Sequence, residues 1–221
     1  MAKRKLERFA ETKTFPHFFQ PHYYELVEGF PLHGKWNSNF FEKPAPIVLE
    51  LGCGKGEFTV GLAERFPEKN YIGMDVKGSR MWRGAKTSHE NKMGNVAFVR
   101  SKIQGINYIF DQDEVDEFWI TFPDPHPNKP STKKRLTSPE FLDRYRKIAK
   151  PGAIIHLKTD SSLLFEYTLE VINEQKLQLL FHTFDVDKNP GSELVLSIRT
   201  YYEEMFRNEG VPIKYLKFKL H

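Results

Sequence analysis

Three glycines and two acidic residues stand in a pattern that suits a nucleoside ligand. Gly52, Gly54 and Gly56 follow the acidic residue Glu50, and Asp75 comes 21 residues after Gly54. Glycines between a strand and a helix let the backbone approach a ligand, and an acid ending the second strand can accept both ribose hydroxyls. The G-x-G-x-G spacing departs from that of dinucleotide sites, and Glu50 suits a cation better than a pyrophosphate. The pattern favours S-adenosylmethionine, with a plain tight turn and a solvated Asp75 as the alternative.

A second candidate site is a stiff loop that carries one acid. Asp124 stands between Pro123 and Pro125, which restrict the backbone, and a basic run follows it. A fixed carboxylate can accept two hydrogen bonds from the N1–H and N2–H₂ edge of guanine, while lysines and arginines beside it hold phosphates. The loop therefore predicts recognition of guanine within a nucleic acid, and a merely rigid turn is the alternative.

Basic residues are concentrated in three segments of this 221-residue chain, although its formal net charge is only +4. Residues 1–9 hold four basic residues against one acidic, residues 126–150 hold eight against two, and residues 205–221 hold four against one. If the three segments meet in the folded protein, they form a surface for a polyanion such as RNA. Chance clustering of surface charge is the alternative.

The elements that must position these residues are predicted to alternate between strands and helices. Apolar runs predict strands at 47–51, 71–74, 96–99, 117–122, 153–159, 177–184 and 213–220, and helical spacing predicts helices at 57–66, 78–92, 138–150, 161–175 and 200–208. This order predicts a mostly parallel sheet with the ligand at the carboxyl ends of its strands. Residues 1–45 are predicted to be an irregular, aromatic and basic arm, its first nine residues mobile, and residues 46–221 a single domain.

The sequence also excludes several classes of protein. A single cysteine, Cys53, excludes an internal disulfide framework and is predicted to be an inert loop residue. The histidines do not pair at metal-ligand spacing, so no metal site is predicted. No apolar run is long enough to cross a membrane, and the basic N-terminus lacks the apolar segment of a secretory signal. These features predict a cytoplasmic protein.

Longer stretches of the chain resemble the bacterial tRNA (guanine-N7)-methyltransferase family, whose members are class I S-adenosylmethionine-dependent enzymes. The matching stretches are GKWNSNF at 34–40, IVLELGCGKGEF at 47–58, NYIGMDVKGSR at 70–80, FPDPHP at 122–127, KKRLTSPEFL at 133–142, HLKTDSSLLFEY at 156–167 and TYYEEMF at 200–206. The resemblance implies a Rossmann-like α/β fold whose mostly parallel seven-stranded sheet has helices on both faces and an antiparallel last strand. It also implies methyl transfer to N7 of a guanosine at position 46, in the variable loop of tRNA, by a monomer or homodimer.

The same resemblance implies roles for individual residues. Asp124 would be the catalytic, guanine-orienting acid. The implied cofactor-binding residues are Glu50, Gly52, Gly54, Asp75, Ser101, Lys102 and Asp124. The implied substrate-binding residues are Asn128, Lys129, Asp160, Thr200, Tyr201, Tyr202 and Glu203, and the RNA phosphate contacts are Lys133, Lys134 and Arg135. Helix caps are the alternative for Asp160 and for Thr200, with Glu203 completing a capping box.

The chain departs from the family pattern at three positions. His126 stands where the family has Trp, and Asn128 stands where it has Lys, with Lys129 adjacent. Lys102 stands where an Asp or Asn would accept the adenine amino group; because lysine cannot accept a hydrogen bond, backbone groups or Ser101 are predicted to do so. Two other functions stay open: a methyltransferase for another RNA or a protein, and a non-catalytic RNA-binding protein with a methyltransferase-like fold.

Overall fold

A computed structural model describes residues 2–221, and among these the side chains of residues 2–5, 190 and 193 lie outside the described part. The prediction that the basic N-terminal residues Lys3, Arg4 and Lys5 contact RNA phosphates therefore falls outside the described side chains.

One sheet organises the described chain. Its strands are β1 (Phe18–Phe19), β2 (Ile47–Leu51), β3 (Asn70–Asp75), β4 (Val96–Arg100), β5 (Val115–Thr121), β6 (Ala149–Thr159), β7 (Leu179–Thr183) and β8 (Lys214–Lys219). They lie in the order β1-β4-β3-β2-β5-β6-β8-β7. The pairs from β1 to β6 are parallel, and β8 runs antiparallel to both β6 and β7. This arrangement confirms the predicted mostly parallel sheet with an antiparallel last strand.

The strand order reverses between β2 and β5, which are neighbours in the sheet. From β2 the chain moves outward through β3 and β4, and from β5 it moves the other way through β6. Crevices for ligands open at the carboxyl ends of strands at such a switch point. The loops after β2 and β5 carry the glycines and Asp124, so the topology brings the two predicted sites together.

Helices cover both faces of the sheet. They are α1 (Ala2–Thr12), α2 (Tyr23–Gly29), α3 (Trp36–Asn39), α4 (Glu57–Arg65), α5 (Gly78–Glu90), α6 (Pro139–Arg146), α7 (Ser162–Glu174), α8 (Glu193–Leu196) and α9 (Tyr201–Asn208). Successive side chains of a strand point to opposite faces. Accordingly, Leu49 joins a buried cluster with Tyr145 and Phe165, whereas Val48 joins another with Phe58 and Met81.

The arm at 1–45 is not irregular, contrary to the prediction. It contributes α1, α2 and α3 and a two-residue strand, and Phe18 pairs with Phe98 of β4 as an eighth strand. Trp36 is fully buried and donates from its indole to the Ile109 carbonyl at 3.1 Å. Its aromatic residues pack on both faces of the sheet, Trp36 and Phe19 in the cluster of Leu49 and Phe18 in that of Val48, where they cover apolar surface.

Candidate active site

The glycine loop after β2 forms a cradle of left-handed backbone whose amides bond within the protein. Gly52, Gly54 and Gly56 have φ angles of +77°, +56° and +73°, in the left-handed region that favours glycine. The Gly54 amide donates to Asp75 Oδ2 at 2.9 Å, and Asp75 Oδ1 accepts from the Lys77 amide at 2.8 Å. A Cβ at Gly56 would lie 2.5 Å from Phe98, so α4 can approach β4 only with glycine there. The loop and Asp75 are thus fixed to one another.

Glu50 lies beneath this loop, buried between β2 and β5. Its carboxylate accepts hydrogen bonds from the hydroxyls of Thr59 and Thr121, the latter at 2.6 Å. Burial raises the pKa of Glu50 to about 7, although both hydroxyls lower it. The sequence placed an acid here but did not indicate the threonine pair, since Thr121 is 71 residues away.

A cavity of about 740 Å³ opens above Glu50 at the switch point. Glu50, Gly52, Gly54, Asp75 and Asp124 all line it, as the cofactor prediction requires. The structure does not bring the other two predicted cofactor residues, Ser101 and Lys102, to its wall. The 3₁₀ turn that begins at Ile103 presents Ile103 and Gln104 instead.

The donor set of this cavity fits S-adenosylmethionine. Each oxygen of Asp75 accepts one backbone hydrogen bond and keeps capacity for a ribose hydroxyl. Gly54 lies opposite Tyr202, since a Cβ there would be 3.9 Å from the Tyr202 ring. Carboxylates of Glu50 and Asp124 line the cavity, as a sulfonium and an ammonium require. Asp75, the glycine loop and Glu50 are therefore the residues that would hold this group.

Asp124 projects from a loop that other residues hold in place. Its side chain is 72% exposed, and Oδ1 accepts only from the His126 amide, at 3.1 Å, among the described contacts. Phe122 and His126 on either side have φ angles of +48° and +44°. Such left-handed non-glycine residues cost free energy and persist only where surrounding contacts hold them. The carboxylate therefore stands at the mouth of the cavity in a fixed orientation.

Arg135 supplies those contacts, which corrects its predicted role in phosphate binding. Its guanidinium donates to the carbonyls of Pro125 at 3.0 Å and His126 at 3.1 Å, and it lies 4.3 Å from the centre of the Tyr167 ring. Arg135 is only 5% exposed, so its charge is directed into the loop and not toward RNA.

The other residues of the basic run are exposed but differ in position. Lys134 lines the cavity, whereas Asn128, Lys129 and Lys133 lie outside it. The 3₁₀ turn Lys129–Lys134 presents the lysines to solvent beside the Asp124 loop. The lysines lie where they could contact phosphates around the mouth of the cavity. Asn128 and Lys129 do not line the cavity itself.

Of the substrate residues predicted in the C-terminal half, Asp160, Thr200 and Tyr202 line the cavity. Tyr201 lies at its edge, 56% exposed, with the Lys55 ammonium 3.3 Å from its ring centre. The cap alternative for Asp160 is wrong, because the Ser161 hydroxyl accepts from the Leu164 amide and caps α7. Burial raises the pKa of the Asp160 carboxyl.

Glu203 does not face the cavity, which corrects its predicted contact with substrate. Its carboxylate is fully buried and accepts from Lys158 at 2.6 Å and from Arg207 at 3.0 Å. Thr200 does cap α9, since its hydroxyl accepts from the Glu203 amide at 3.2 Å. Glu203 does not complete a capping box because its side chain is committed to Lys158.

Lys158 is a buried residue beside the site whose role no sequence pattern indicated. Its ammonium donates to the carbonyls of Val195 at 2.7 Å and Ile198 at 3.3 Å as well as to Glu203. Its own carbonyl accepts from the Phe122 amide at 2.8 Å. Lys158 therefore connects the Asp124 loop with the chain that leads into α9. The Lys-Thr-Asp and Thr-x-x-Glu motifs contain both ion-pair partners, but nothing in their spacing indicates that they pair.

The C-terminal basic segment does not form an RNA surface as a whole. Arg207 pairs with Glu203 and Asp187, and the buried Lys214 donates to the carbonyls of Asp160 and Pro212. The segment also lies at the opposite edge of the sheet from β1 and the arm. Within the described residues, the C-terminal segment and the arm therefore belong to different edges of the sheet.

Cys53 is a free, buried cysteine. Burial and the nearby Glu50 and Asp75 carboxylates raise the pKa of the Cys53 thiol well above its usual value, which disfavours a nucleophile. No group of three or more His, Cys, Asp or Glu residues in the described chain is arranged to hold a metal. Within the same residues, no helix combines the length and hydropathy needed to cross a membrane.

The sheet order, the glycine cradle and the cavity at the switch point define a class I methyltransferase. Solved structures with this fold include the 16S rRNA methyltransferase KamB (TM-score 0.60, 15% identity, 81% of this chain and 88% of that one). Another is an antibiotic-related methyltransferase, with TM-score 0.58, 16% identity and coverage of 81% and 88%. At these identities the likeness concerns the fold alone.

Sequence relatives define the family within that class. The family model described as "Putative methyltransferase" matches residues 44–216. The tRNA (guanine-N(7)-)-methyltransferase of Christiangramia forsetii is 48% identical, covering 99% of both chains. That of Bacteroides thetaiotaomicron is 49% identical, covering 100% of this chain and 87% of its own. The chain belongs to the tRNA (guanine-N(7)-)-methyltransferase family.

Proposed function

We propose that this protein transfers the methyl group of S-adenosylmethionine to N7 of a guanosine in tRNA, at position 46 of the variable loop. The observation that carries the proposal is the exposed, rigidly held Asp124 at the mouth of a cavity whose floor is the glycine cradle and Asp75. Family membership supports the guanosine and the tRNA, since the named relatives act on that base.

The reaction needs no general base. Guanine N7 carries a lone pair and no proton, so its attack on the methyl carbon forms one C–N bond. S-adenosylmethionine, when bound, would supply that methyl group: the C–S bond of its sulfonium would break and the electron pair would stay on sulfur, leaving a neutral thioether. The protein therefore has to hold guanine N7 and the methyl group in line with one another. Such orientation can lower the barrier by about 7–11 kcal/mol.

Asp124 is the residue that orients the base. Its carboxylate can accept from N1–H and N2–H₂ of guanine and so turn N7 toward the interior of the cavity. The methylated guanine carries a positive charge, which carboxylates at the mouth stabilise as it develops. Asp160 lines the same cavity and supplies a second carboxylate there. Because Asp124 has no described hydrogen bond beyond its own loop, its capacity for the base remains free.

An assay with purified protein separates this function from the alternatives. Labelled S-adenosylmethionine is mixed with total tRNA, with ribosomal RNA or with protein, and the nucleosides are analysed by mass spectrometry. We expect 7-methylguanosine in tRNA alone. Label in ribosomal RNA or protein would identify a methyltransferase of another substrate. No binding of S-adenosylmethionine by calorimetry would identify a non-catalytic RNA-binding protein.

The partner and compartment follow from this substrate. We infer that tRNA is the macromolecular partner and that the protein acts in the cytoplasm, where tRNA is modified. A monomer and a homodimer both remain compatible with the cavity, because every residue assigned to it comes from one chain.

A further inference from the structure

Three basic side chains form a row along α5 that the catalytic cavity only partly uses. Arg80 and Arg83 are three residues apart and lie on one side of the helix, and Lys77 is the residue that immediately precedes its first turn. All three are exposed, and none forms a salt bridge within the described residues. Lys86, the next basic residue, differs because it pairs with Glu11 at 2.8 Å. We call Lys77, Arg80 and Arg83 the α5 stripe.

The α5 stripe leads away from the mouth of the cavity. Lys77 and Arg80 line the cavity itself, and Arg83 lines an adjoining groove of about 630 Å³ together with Arg65 and Arg199. Since α5 follows β3 whereas the Asp124 loop follows β5, the stripe and the lysines of residues 129–134 flank the switch point from opposite sides. A nucleic-acid strand that presents one base to the cavity would have phosphates on both sides.

Aromatic rings alternate with cations along the same edge. The Lys55 ammonium lies 3.3 Å from the Tyr201 ring centre, and the Arg80 guanidinium lies 5.9 Å from that of Tyr202. Surfaces that bind single-stranded nucleic acid combine exposed rings, on which bases stack, with cations along the backbone. Three carboxylates face this edge: Glu57 accepts from the Tyr201 amide at 2.9 Å, Asp75 accepts from two amides, and Glu64, which lines the groove beside Arg83, accepts from the Asn91 side chain at 3.4 Å. Within the described residues, no salt bridge joins any of them to the stripe.

We infer that the α5 stripe binds backbone phosphates of the RNA strand on the side of the target guanosine away from Lys129, Lys133 and Lys134. This inference rests on the proposed function, because it takes the RNA strand to cross the cavity with one base turned inward. Unstacking that base costs a few kcal/mol, which contacts to the phosphates on both sides can offset. The stripe thus extends the RNA-binding surface to the half of the sheet where no substrate residue was predicted.

A salt titration of tRNA binding tests the α5 stripe. The variants are the triple Lys77→Gln, Arg80→Gln, Arg83→Gln and the single Arg83→Gln, which lies outside the catalytic cavity. Each lost phosphate contact lowers the slope of log K against log salt by about one, so we expect about three for the triple and about one for the single variant. The dissociation constant of the triple variant should rise at least about tenfold at 100 mM salt.

The matched control removes the same number of positive charges from the other side of the protein, where the amino ends of the parallel strands lie. Lys43, Lys92 and Lys147 are exposed and precede β2, β4 and β6 at their amino ends. We expect their triple glutamine variant to keep the wild-type slope. An unchanged slope in a stripe variant with wild-type melting temperature overturns the inference, as does an equal loss in the control. If the stripe variants show the reduced slope but the wild-type protein forms no 7-methylguanosine in tRNA, the proposed function alone is overturned.

Discussion

At the scale of single residues, Asp124 combines exposure with an orientation that its neighbours enforce. Left-handed backbone at Phe122 and His126 costs on the order of 1–3 kcal/mol each. The contacts of Arg135 to the Pro125 and His126 carbonyls hold this conformation. An exposed acid would otherwise sample several orientations. The strained loop therefore lowers the stability of the fold but restricts the direction of one carboxylate.

Replacement of Asp124 by Asn tests this fixed direction. The amide keeps the size of the side chain but replaces one acceptor by a donor, which opposes the N1–H and N2–H₂ edge of guanine. We expect the single-turnover rate of methyl transfer to fall about a hundredfold, as for comparable losses of orientation. Asp113→Asn, an exposed site before β5, serves as the control and should keep the wild-type rate. Unimpaired turnover by Asp124→Asn would remove Asp124 from the mechanism.

Glu50 makes the stability of the fold depend on pH. Because burial raises its pKa from a usual 4.5 to about 7, the folded protein binds the proton more tightly than the unfolded chain. The stabilising contribution is complete below pH 4.5 and is lost as the pH rises through 7, at a cost of about 3 kcal/mol by pH 8.

The variant Glu50→Gln lacks this titration. Its free energy of unfolding should exceed that of the wild type by an amount that grows from pH 4.5 to pH 8, measured by urea denaturation. Glu64→Gln, an exposed position on α4, should run parallel to the wild type throughout. A difference between Glu50→Gln and wild type that stays constant with pH would contradict the raised pKa.

At the scale of elements, Lys158 joins parts of the chain that meet only in the fold. It links β6, the Asp124 loop after β5 and the N-terminus of α9 through one ammonium and one carbonyl. Phe122 also stacks on Phe206 of α9, with ring centres 5.9 Å apart. The wall of the cavity that α9 forms is thus positioned by the same residue that anchors the loop.

Removing the Lys158 charge should destabilise the protein strongly. Lys158→Met leaves the fully buried Glu203 with only Arg207 as its cationic partner, and breaking a buried pair in this way costs about 3–5 kcal/mol of unfolding free energy. The double variant Lys158→Met, Glu203→Gln should recover much of this loss, because no unpaired charge remains.

Lys150→Met is the control for that experiment, since its partly exposed pair with Asp116 should contribute less than about 1 kcal/mol. The quantity to compare is the free energy of unfolding by urea. Equal effects of Lys158→Met and Lys150→Met would show that the buried pair does not hold α9.

Arg135 offers a prediction that separates loop anchoring from RNA binding. Arg135→Lys keeps the charge but not the two-pronged geometry that reaches both carbonyls. We expect the rate of methyl transfer at saturating tRNA to fall about tenfold or more through misplacement of Asp124, while the salt dependence of tRNA binding stays that of the wild type. A full rate with Arg135→Lys would contradict the anchoring role.

Much of the fold was predictable because local signals define it. Apolar runs, helical spacing and the glycines indicated the strands of residues 46–221, their order along the chain and the loops that carry Glu50, Asp75 and Asp124. The resemblance implied roles in RNA and substrate binding for Arg135 and Glu203, and nothing in the sequence indicated that both side chains are buried. Their partners, Pro125 and Lys158, are contacts of tertiary structure.

At the scale of the whole molecule, the arm was the least predictable part. Phe18, Phe19 and Trp36 have no regular spacing, and their structure depends on apolar surface that the sheet supplies. The same dependence explains why charge could not be mapped from sequence. Arg207 forms ion pairs and Lys214 donates to backbone carbonyls. The α5 stripe, a small part of the total charge, instead lies exposed along the cavity and the adjoining groove.

The central claim is that the cavity directs N7 of one guanosine at the methyl donor. It is tested most directly by single-turnover methyl transfer to a tRNA whose guanosine 46 is replaced by 7-deazaguanosine, which keeps the Watson–Crick edge but has a carbon in place of N7. We predict full transfer to the unmodified tRNA, full transfer when 7-deazaguanosine replaces another guanosine, and none when it stands at position 46. Undiminished transfer to the tRNA with 7-deazaguanosine at position 46 would contradict the account.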